Sequence, residues 1–170
     1  MSTLKSNYIE RAKKFVPYVA MFISHSGNRH DIKYEVEAFN YRHHRKVLFA
    51  HGLTRLAFIT SDYVIKVDYD PEQIERFGGC ENEMAVYAQA EQDGMEYLFA
   101  KITAYTYKGV TYYIMPRING VGEYFDDAYE YMTNAEIEWC EEHGIGDLHC
   151  YNYGWRNKHV CIIDYGAIFS

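Results

Sequence analysis

The sequence lacks any long apolar run, is poor in proline and cysteine, and carries fewer basic than acidic side chains. Charged residues interrupt its apolar N-terminal stretch, so we expect neither a signal peptide nor a membrane span there. The four cysteines are irregularly spaced, which favours reduced thiols over a disulfide framework and therefore a soluble, cytoplasmic protein. A formal net charge of −7 argues against nucleic acid as the main partner, because binding to phosphates requires a basic surface.

What is present is the composition of one ordinary globular domain. The 170 residues are 48% apolar and 24% charged, and this length is sufficient for one hydrophobic core. Aromatic residues are abundant, with 18 tyrosines, which indicates rigid amphipathic packing or an adhesive surface.

The order of predicted elements begins with helices and continues with strands. Apolar spacing predicts helices over 8–23, with Pro17 as an internal kink, and over 31–43. Short apolar runs separated by turns then predict three consecutive antiparallel strands, at 47–50, 56–60 and 63–67. A helix over 81–92 is closed by Gly94, and a hairpin over 98–107 and 110–115 turns at Lys108-Gly109. The segment 124–143 is predicted to be mostly helical.

The most informative motif lies near the C-terminus. Asp147, His149 and Asn152 form a D-x-H-x-x-N pattern, and the apolar run Cys161-Ile162-Ile163 then leads into Asp164-Tyr165-Gly166. A carboxamide and a carboxylate can hold a divalent cation through oxygen, which leaves the first carboxylate to orient a nucleophile.

This motif resembles the catalytic and metal-binding loops of the protein-kinase-like superfamily, in the variant found in aminoglycoside phosphotransferases. The resemblance implies that Asp147 positions the acceptor hydroxyl and that Asn152 and Asp164 hold Mg²⁺. It places His149 near the transferred phosphate of ATP. The order of three strands, a helix and two strands before the motif is a second point of similarity.

The resemblance also implies an ATP site in the strand region. Lys66 lies mid-strand and would contact the phosphates, with Glu83 as its expected helix partner and Glu81 as the rival. An exposed strand lysine and two solvated carboxylates are the alternative interpretation. Residues 115–120 would form the hinge that binds adenine, and the remaining candidates for nucleotide contact are Arg55, Ile59, Val64, Met115 and Arg117. The three apolar candidates are equally consistent with a plain hydrophobic core.

Several features depart from the family pattern. Only Gly52 lies between the first two strands, where kinases have a glycine-rich loop, so Arg55 would have to substitute with its side-chain charge. Ile145 replaces the usual His or Tyr two residues before the catalytic Asp. Only four residues follow Gly166, so the C-lobe would be built from 121–170, with the N-terminal helices packed against it. Such a reduced form is similar to kinase-like proteins encoded by bacteriophages, which would place it in the host cytoplasm.

The sequence therefore predicts an α+β, protein-kinase-like fold in one minimal domain. Its parts would be N-terminal helices (1–46), a five-stranded antiparallel N-lobe sheet with one helix (47–115), a hinge (116–120) and a truncated helical C-lobe (121–170). The expected activity is an ATP- and Mg²⁺-dependent phosphotransferase that acts on a hydroxyl, with a protein as the expected acceptor. The alternative is a weak or inactive pseudokinase that binds and regulates a protein, and a homodimer is compatible with either.

A different chemistry is suggested by a set of cysteines and histidines. Cys140 and His143 are three residues apart on a predicted helix, and His149 and Cys150 follow, so the four side chains could form a zinc site. The adjacent positions of His149 and Cys150 argue against it. The alternative is a buried structural cysteine and a histidine that ends the helix.

Overall fold

The computed structural model describes residues 2–166 of the chain, with side chains from Asn7 onward. The chain divides into two compact units. The first unit comprises Met1–Tyr69 and Thr103–Arg117, and the second comprises Asp70–Ile102 and Ile118–Ser170. Within residues 2–166, every helix is too short or too polar to cross a membrane.

The first unit is a five-stranded antiparallel sheet with two helices. The strands lie side by side in the order β1-β2-β3-β5-β4. The elements are the helices α1 (Ser2–Ser24) and α2 (Arg29–His43) and the strands β1 (Leu48–His51), β2 (Arg55–Ile59), β3 (Tyr63–Asp68), β4 (Thr103–Tyr107) and β5 (Val110–Pro116). The α+β class and the five-stranded antiparallel sheet are confirmed.

The core of the first unit lies between the two helices and one face of the sheet. Side chains alternate along a strand, so β2 and β3 turn Phe58 and Ile65 towards this core, where α1 contributes Val16 and Val19 and α2 contributes Phe39. The apolar faces of the two N-terminal helices belong to this core, and the expected packing of these helices against the C-terminal part of the chain stays a prediction. These faces are buried on the sheet because the helical apolar spacing matches the alternating apolar positions of the strands.

The ends of α2 follow from local chemistry. Asn28 caps its start, because its side-chain oxygen accepts from the backbone N–H groups of His30 at 2.9 Å and Asp31 at 3.1 Å. The helix ends at His44, which adopts a left-handed conformation with φ of 50°.

The second unit combines helices with a β-hairpin. Its elements are the helices α3 (Pro71–Phe77), α4 (Cys80–Asp93) and α5 (Asn134–Glu142), two 3₁₀ turns at Glu96–Leu98 and Ala128–Tyr131, and the hairpin strands β6 (Tyr153–Arg156) and β7 (His159–Ile162). Two helices rather than the single predicted helix therefore follow β3. The missed helix α3 has a recognisable start, because Asp70 caps it and Pro71 occupies its first turn.

Two predicted elements are shorter than expected. The predicted strand over 98–107 forms only from Thr103 onward, because Phe99 instead makes an isolated parallel bridge to Ile162. The predicted helix over 124–143 is an α-helix only at Asn134–Glu142. Thr133 starts that helix with a reciprocal capping box to Glu136, which fixes its first turn.

Candidate functional site

The segment 147–152 of the second unit is a compact hydrogen-bonded loop. Asn152 Nδ2 donates to the backbone oxygen of Asp147 at 2.8 Å, and Asn152 N–H donates to the backbone oxygen of His149 at 2.9 Å. Asn152 is buried at 7% exposure, whereas the side chains of Asp147 and His149 are 47% and 48% exposed. The loop thus buries its amide and presents its carboxylate.

The His149 ring links the loop to the Asp147 carboxylate. Tyr151 N–H donates to His149 Nδ1 at 3.3 Å, so Nδ1 acts as an acceptor. His149 Nε2 lies 3.4 Å from Asp147 Oδ1 and 3.2 Å from Asn152 Nδ2, so the ring contacts both residues. Asp147 is therefore oriented both at its side chain and, through Asn152, at its backbone.

The hairpin β6–β7 brings the second acidic residue to this loop. Tyr153 and Ile162 are paired across the hairpin, and the next backbone contact is Ile163 N–H to the oxygen of Asn152 at 2.8 Å. Asp164 is half-buried and directly follows Ile163. The sequence pattern predicted an apolar strand that leads into Asp164. The hydrogen bond from Ile163 to Asn152 explains how this strand brings the backbone of Asp164 near Asn152.

Tyr165 anchors the chain after Asp164. It is 2% exposed, its ring packs on Phe99 with centroids 4.8 Å apart, and its hydroxyl donates to the backbone oxygen of Ala100 at 2.6 Å. Burial raises the pKa of its hydroxyl, so Tyr165 remains a neutral donor. Asn82 Nδ2 donates to the oxygen of Gly166 at 3.2 Å. The hydrogen bonds to Ala100 and from Asn82 could not be predicted from the sequence, because each joins residues that are far apart in the chain.

Helix α4 contributes a buried carboxylate to the same unit. Glu83 is 0% exposed, and its Oε1 accepts from Tyr165 N–H at 3.3 Å. The rival candidate Glu81 is exposed, so Glu83 has the environment of an internal partner. Its pairing with Lys66, which belongs to the first unit, stays a prediction.

In the first unit, most predicted nucleotide contacts share the sheet face opposite the helix-covered core. Ile59 pairs with Val64, and Val64 pairs with Met115, so these three residues form one row across β2, β3 and β5. Lys66 lies in the row that also contains Ala57 and Tyr113. Paired residues point to the same side of a sheet, which gives an apolar row with a lysine beside it.

This lysine is not an exposed surface residue. Lys66 is 8% exposed, and its neighbours along β3, Ile65 and Val67, belong to the core on the other face. Met115 is likewise buried at 1% exposure. The interpretation of Lys66 as a solvated strand lysine is therefore wrong.

The two predicted arginines occupy different places in the first unit. Arg55 pairs with Asp68 on the same sheet face as Lys66. Arg117 follows β5 and is exposed, and its guanidinium donates to the backbone oxygen of Thr60 at 2.9 Å. Arg117 N–H also donates to the oxygen of Asp62 at 3.0 Å, so this residue fastens the turn between β2 and β3.

The loop between β1 and β2 is held by a residue that the sequence did not indicate. Arg29 of α2 donates to the backbone oxygen of Gly52 at 2.7 Å and to that of Leu53 at 3.2 Å. Its guanidinium also lies 4.9 Å from the centre of the Tyr69 ring. The loop that replaces a glycine-rich motif is thus fixed through its carbonyl groups.

The donor atoms of Asn152 and Asp164 suit Mg²⁺, which prefers oxygen ligands. Because Asn152 Nδ2 donates to the Asp147 backbone oxygen, Asn152 Oδ1 is the atom that could bind a cation. The carboxylate of Asp164 would supply the second ligand, and bound Mg²⁺ would neutralise charge on a phosphate.

The predicted zinc ligands have other contacts. Cys140 is buried at 0% exposure, and burial raises the pKa of its thiol to about 12. The His143 ring stacks on Trp139 with centroids 3.9 Å apart. In the described part of the chain, no three or more His, Cys, Asp or Glu side chains cluster closely enough to hold a metal ion.

Comparison with known proteins identifies no relative of this chain. No protein-family model matches the chain, and no curated protein matches it in sequence.

Proposed function

We propose that the chain is an ATP- and Mg²⁺-dependent phosphotransferase of the protein-kinase-like type that acts on a hydroxyl acceptor. Asp147 positions the acceptor and takes its proton, and Asn152 and Asp164 hold Mg²⁺. The acceptor oxygen bonds to the γ-phosphorus, the bond from that phosphorus to the bridging oxygen breaks, and ADP leaves. Catalysis of this kind depends mainly on positioning and on charge neutralisation.

The observation that carries this proposal is the connection between the loop and the hairpin in the second unit. Asn152 is bound to the Asp147 backbone through its side chain, and its own backbone oxygen accepts from Ile163, next to Asp164. Three oxygen-bearing side chains that are separated in sequence are therefore tied to one backbone framework. A proton-accepting carboxylate beside a pair of oxygen ligands is the minimum that phosphoryl transfer requires.

The first unit supports nucleotide binding by its own pattern. The apolar row Ile59–Val64–Met115 offers a flat surface for a planar base, and Lys66 in the same sheet face offers a cation for phosphates.

The test measures thermal unfolding with and without Mg²⁺·ATP, together with transfer of labelled γ-phosphate. At a ligand concentration a hundredfold above Kd, the wild type should gain roughly 2.7 kcal/mol, which is a shift of a few degrees. Asp164→Asn should lose the shift, whereas Asp147→Asn should keep the shift and lose transfer. Glu142→Gln, an exposed carboxylate at the end of α5, is the matched control and should behave as wild type. A wild type without any Mg²⁺-dependent shift would refute the proposal.

The second candidate is a pseudokinase-like protein that binds and regulates another protein. The observation that favours it is the loop between β1 and β2, whose Gly52 and Leu53 carbonyls are occupied by Arg29. A loop fixed in this way has less freedom to close over phosphates with its N–H groups. Nucleotide binding without transfer to any acceptor, in wild type as in Asp147→Asn, would favour this candidate.

A further inference from the structure

The negative charge of the chain is concentrated in one stretch of the second unit. Residues 118–155 contain nine Asp and Glu residues and neither Lys nor Arg, which outweighs the formal net charge of −7 for the whole chain. The remaining residues are therefore slightly basic. A charge separation of this kind creates a local field that attracts cations.

Within this stretch lies an exposed aromatic surface. Phe125 is 100% exposed, Tyr124 46% and Tyr131 37%. The acidic residues Glu123, Asp126 and Glu130 are interspersed with them and are also exposed. We call these six residues the acidic aromatic surface. The fully exposed Phe125 makes no contribution to the core and is accessible to another molecule.

Two of the three aromatic rings of this surface pack against the ring of Trp155. The ring of Trp155 lies 5.6 Å from that of Tyr124 and 5.0 Å from that of Tyr131, measured between centroids. The Tyr131 hydroxyl donates to Asp126 Oδ2 at 2.9 Å. Such packing holds the Tyr124 and Tyr131 rings in place before a partner arrives, which lowers the entropy lost on binding.

The same segment is attached to the loop that contains Asp147. Ala128 N–H donates to the backbone oxygen of Leu148 at 2.8 Å, and Gly122 N–H donates to that of Cys150 at 2.9 Å. A Cβ atom at Gly122 would come within 2.8 Å of the Tyr151 ring, so the two segments are in close contact there. A molecule bound on the acidic aromatic surface is therefore presented beside the candidate catalytic loop.

We infer that the acidic aromatic surface binds a Lys/Arg-rich segment of a partner protein, and that this segment carries the phosphate acceptor. The second clause rests on the proposed function, and the first does not. Arginine and lysine combine both kinds of contact that the surface offers, since they pair with carboxylates and lie over aromatic faces. Complementary charge also accelerates the encounter of the two proteins.

The charge of the surface argues against other occupants. A nucleic acid or an anionic membrane would bring further negative charge to it. A second copy of the chain joined through the same surface would place like charges opposite each other, because a two-fold interface repeats one patch on both sides. A basic protein segment avoids the repulsion that an anionic partner or a second copy of the surface would encounter.

The test measures binding of a fluorescein-labelled, Arg-rich peptide with a single Ser by fluorescence anisotropy in the absence of ATP. We expect saturable binding that weakens at about 0.5 M NaCl, where charges are screened beyond a few ångström. An acidic peptide of the same length should not bind. Phe125→Ala should weaken binding about fivefold through loss of a cation–π contact, and Glu123→Gln with Glu130→Gln by a similar factor at low salt.

The control is Tyr34→Ala, which removes an exposed aromatic residue of the first unit and should leave binding unchanged. Equal affinity in wild type and both surface variants, or no binding, would overturn the inference. Binding of anionic vesicles, or self-association lost in Phe125→Ala, would overturn it in favour of a membrane or a second copy. Binding without phosphorylation of the Ser would overturn the acceptor clause alone and leave the basic partner in place. Phosphorylation that is insensitive to both variants would support the proposed function and refute this surface.

Discussion

At the scale of single residues, Glu136 is a buried carboxylate with three polar contacts. It is 3% exposed, its Oε1 accepts from the Tyr97 hydroxyl at 2.9 Å and lies 3.1 Å from His159 Nε2, and its Oε2 accepts from Thr133 N–H at 2.9 Å. Burial alone would raise the pKa of Glu136, but the Thr133 N–H, the Tyr97 hydroxyl and His159 together hold it below its usual value. One side chain thus joins the start of α5 to the 3₁₀ turn before Phe99 and to β7.

Glu136→Gln should make the protein less stable at neutral pH by about 1–2 kcal/mol, because an amide cannot accept from donors on both of its sides. A carboxyl group whose pKa is lowered by folding stabilises the protein above its unfolded pKa, and this contribution is lost as the pH falls through the folded pKa. The difference between wild type and Glu136→Gln should therefore shrink as the pH is lowered from about 6 to 3. The measurement is the free energy of unfolding in urea at each pH.

Glu138→Gln is the control for this experiment, since Glu138 is exposed on the same helix. Its free energy of unfolding should follow the wild-type pH curve. Parallel curves for wild type and Glu136→Gln across the whole pH range would contradict the role assigned to the carboxylate.

At the scale of elements, the hairpin β6–β7 is positioned by a glycine. A Cβ atom at Gly154 would come within 2.3 Å of the backbone oxygen of Asn119 and 2.8 Å of Ile118 Cγ2. The same Asn119 oxygen accepts from Trp155 N–H at 2.8 Å. Only a residue without a side chain lets the hairpin approach the segment 118–119 this closely.

Gly154→Ala should therefore lower the free energy of unfolding by about 2–3 kcal/mol, because the backbone on either side has to shift. The measurement is the urea midpoint of the variant against wild type. Gly52→Ala is the matched control, because its Cβ would meet nothing within 4 Å, and it should change the midpoint little. Equal midpoints for the two variants would show that the contact between Gly154 and Asn119 does not constrain the hairpin.

The elements that the sequence predicted well are those determined by neighbours in the chain. The helix ending at Gly94 and the hairpin turn at Lys108-Gly109 depend on local backbone conformation, and Gly94 and Gly109 have φ of 72° and 78°. The segment before Asn134 was predicted wrongly because distant contacts decide its conformation. The Tyr153 hydroxyl donates to the backbone oxygen of Asp126, and Ala128 N–H donates to the backbone oxygen of Leu148. Because these contacts join residues distant in sequence, they produce no periodic pattern in the segment itself.

At the scale of the whole molecule, the uneven distribution of charge has a thermodynamic effect. Like charges within residues 118–155 repel each other in the folded state, and dissolved salt screens this repulsion. The melting temperature should therefore rise by a few degrees between low salt and about 0.5 M NaCl.

A variant with Glu123→Gln, Glu130→Gln and Glu138→Gln should show a smaller rise in melting temperature, because three exposed like charges are removed. Differential scanning calorimetry at several salt concentrations measures both. A melting temperature that falls with salt would mean that favourable surface pairs, such as Arg11 with Asp62, outweigh the repulsion.

The candidate site was predictable in its residue types but not in its internal support. Asp147, Asn152 and Asp164 were found by spacing, and the structure ties them through the hydrogen bonds of one loop and one hairpin. The burial of Lys66 and the shared sheet face of Val64 and Met115 follow from strand alternation once the register is known. The roles of Arg29 and Tyr165 could not be foreseen, because each depends on a backbone oxygen far away in sequence.

The register of β3 also limits which insertions and deletions the gene can accumulate. Ile65 and Lys66 point to opposite faces of the sheet, one into the core and one onto the row with Tyr113. A single residue inserted in β3 before Lys66 would move each later residue of the strand to the opposite face of the sheet. The charge of Lys66 would then lie in the core, among phenylalanines. An insertion at Lys108-Gly109, a hairpin turn where a Cβ on Gly109 would meet nothing within 4 Å, leaves both faces intact. Length variation among descendants of this sequence should therefore accumulate at that turn and be absent from β3.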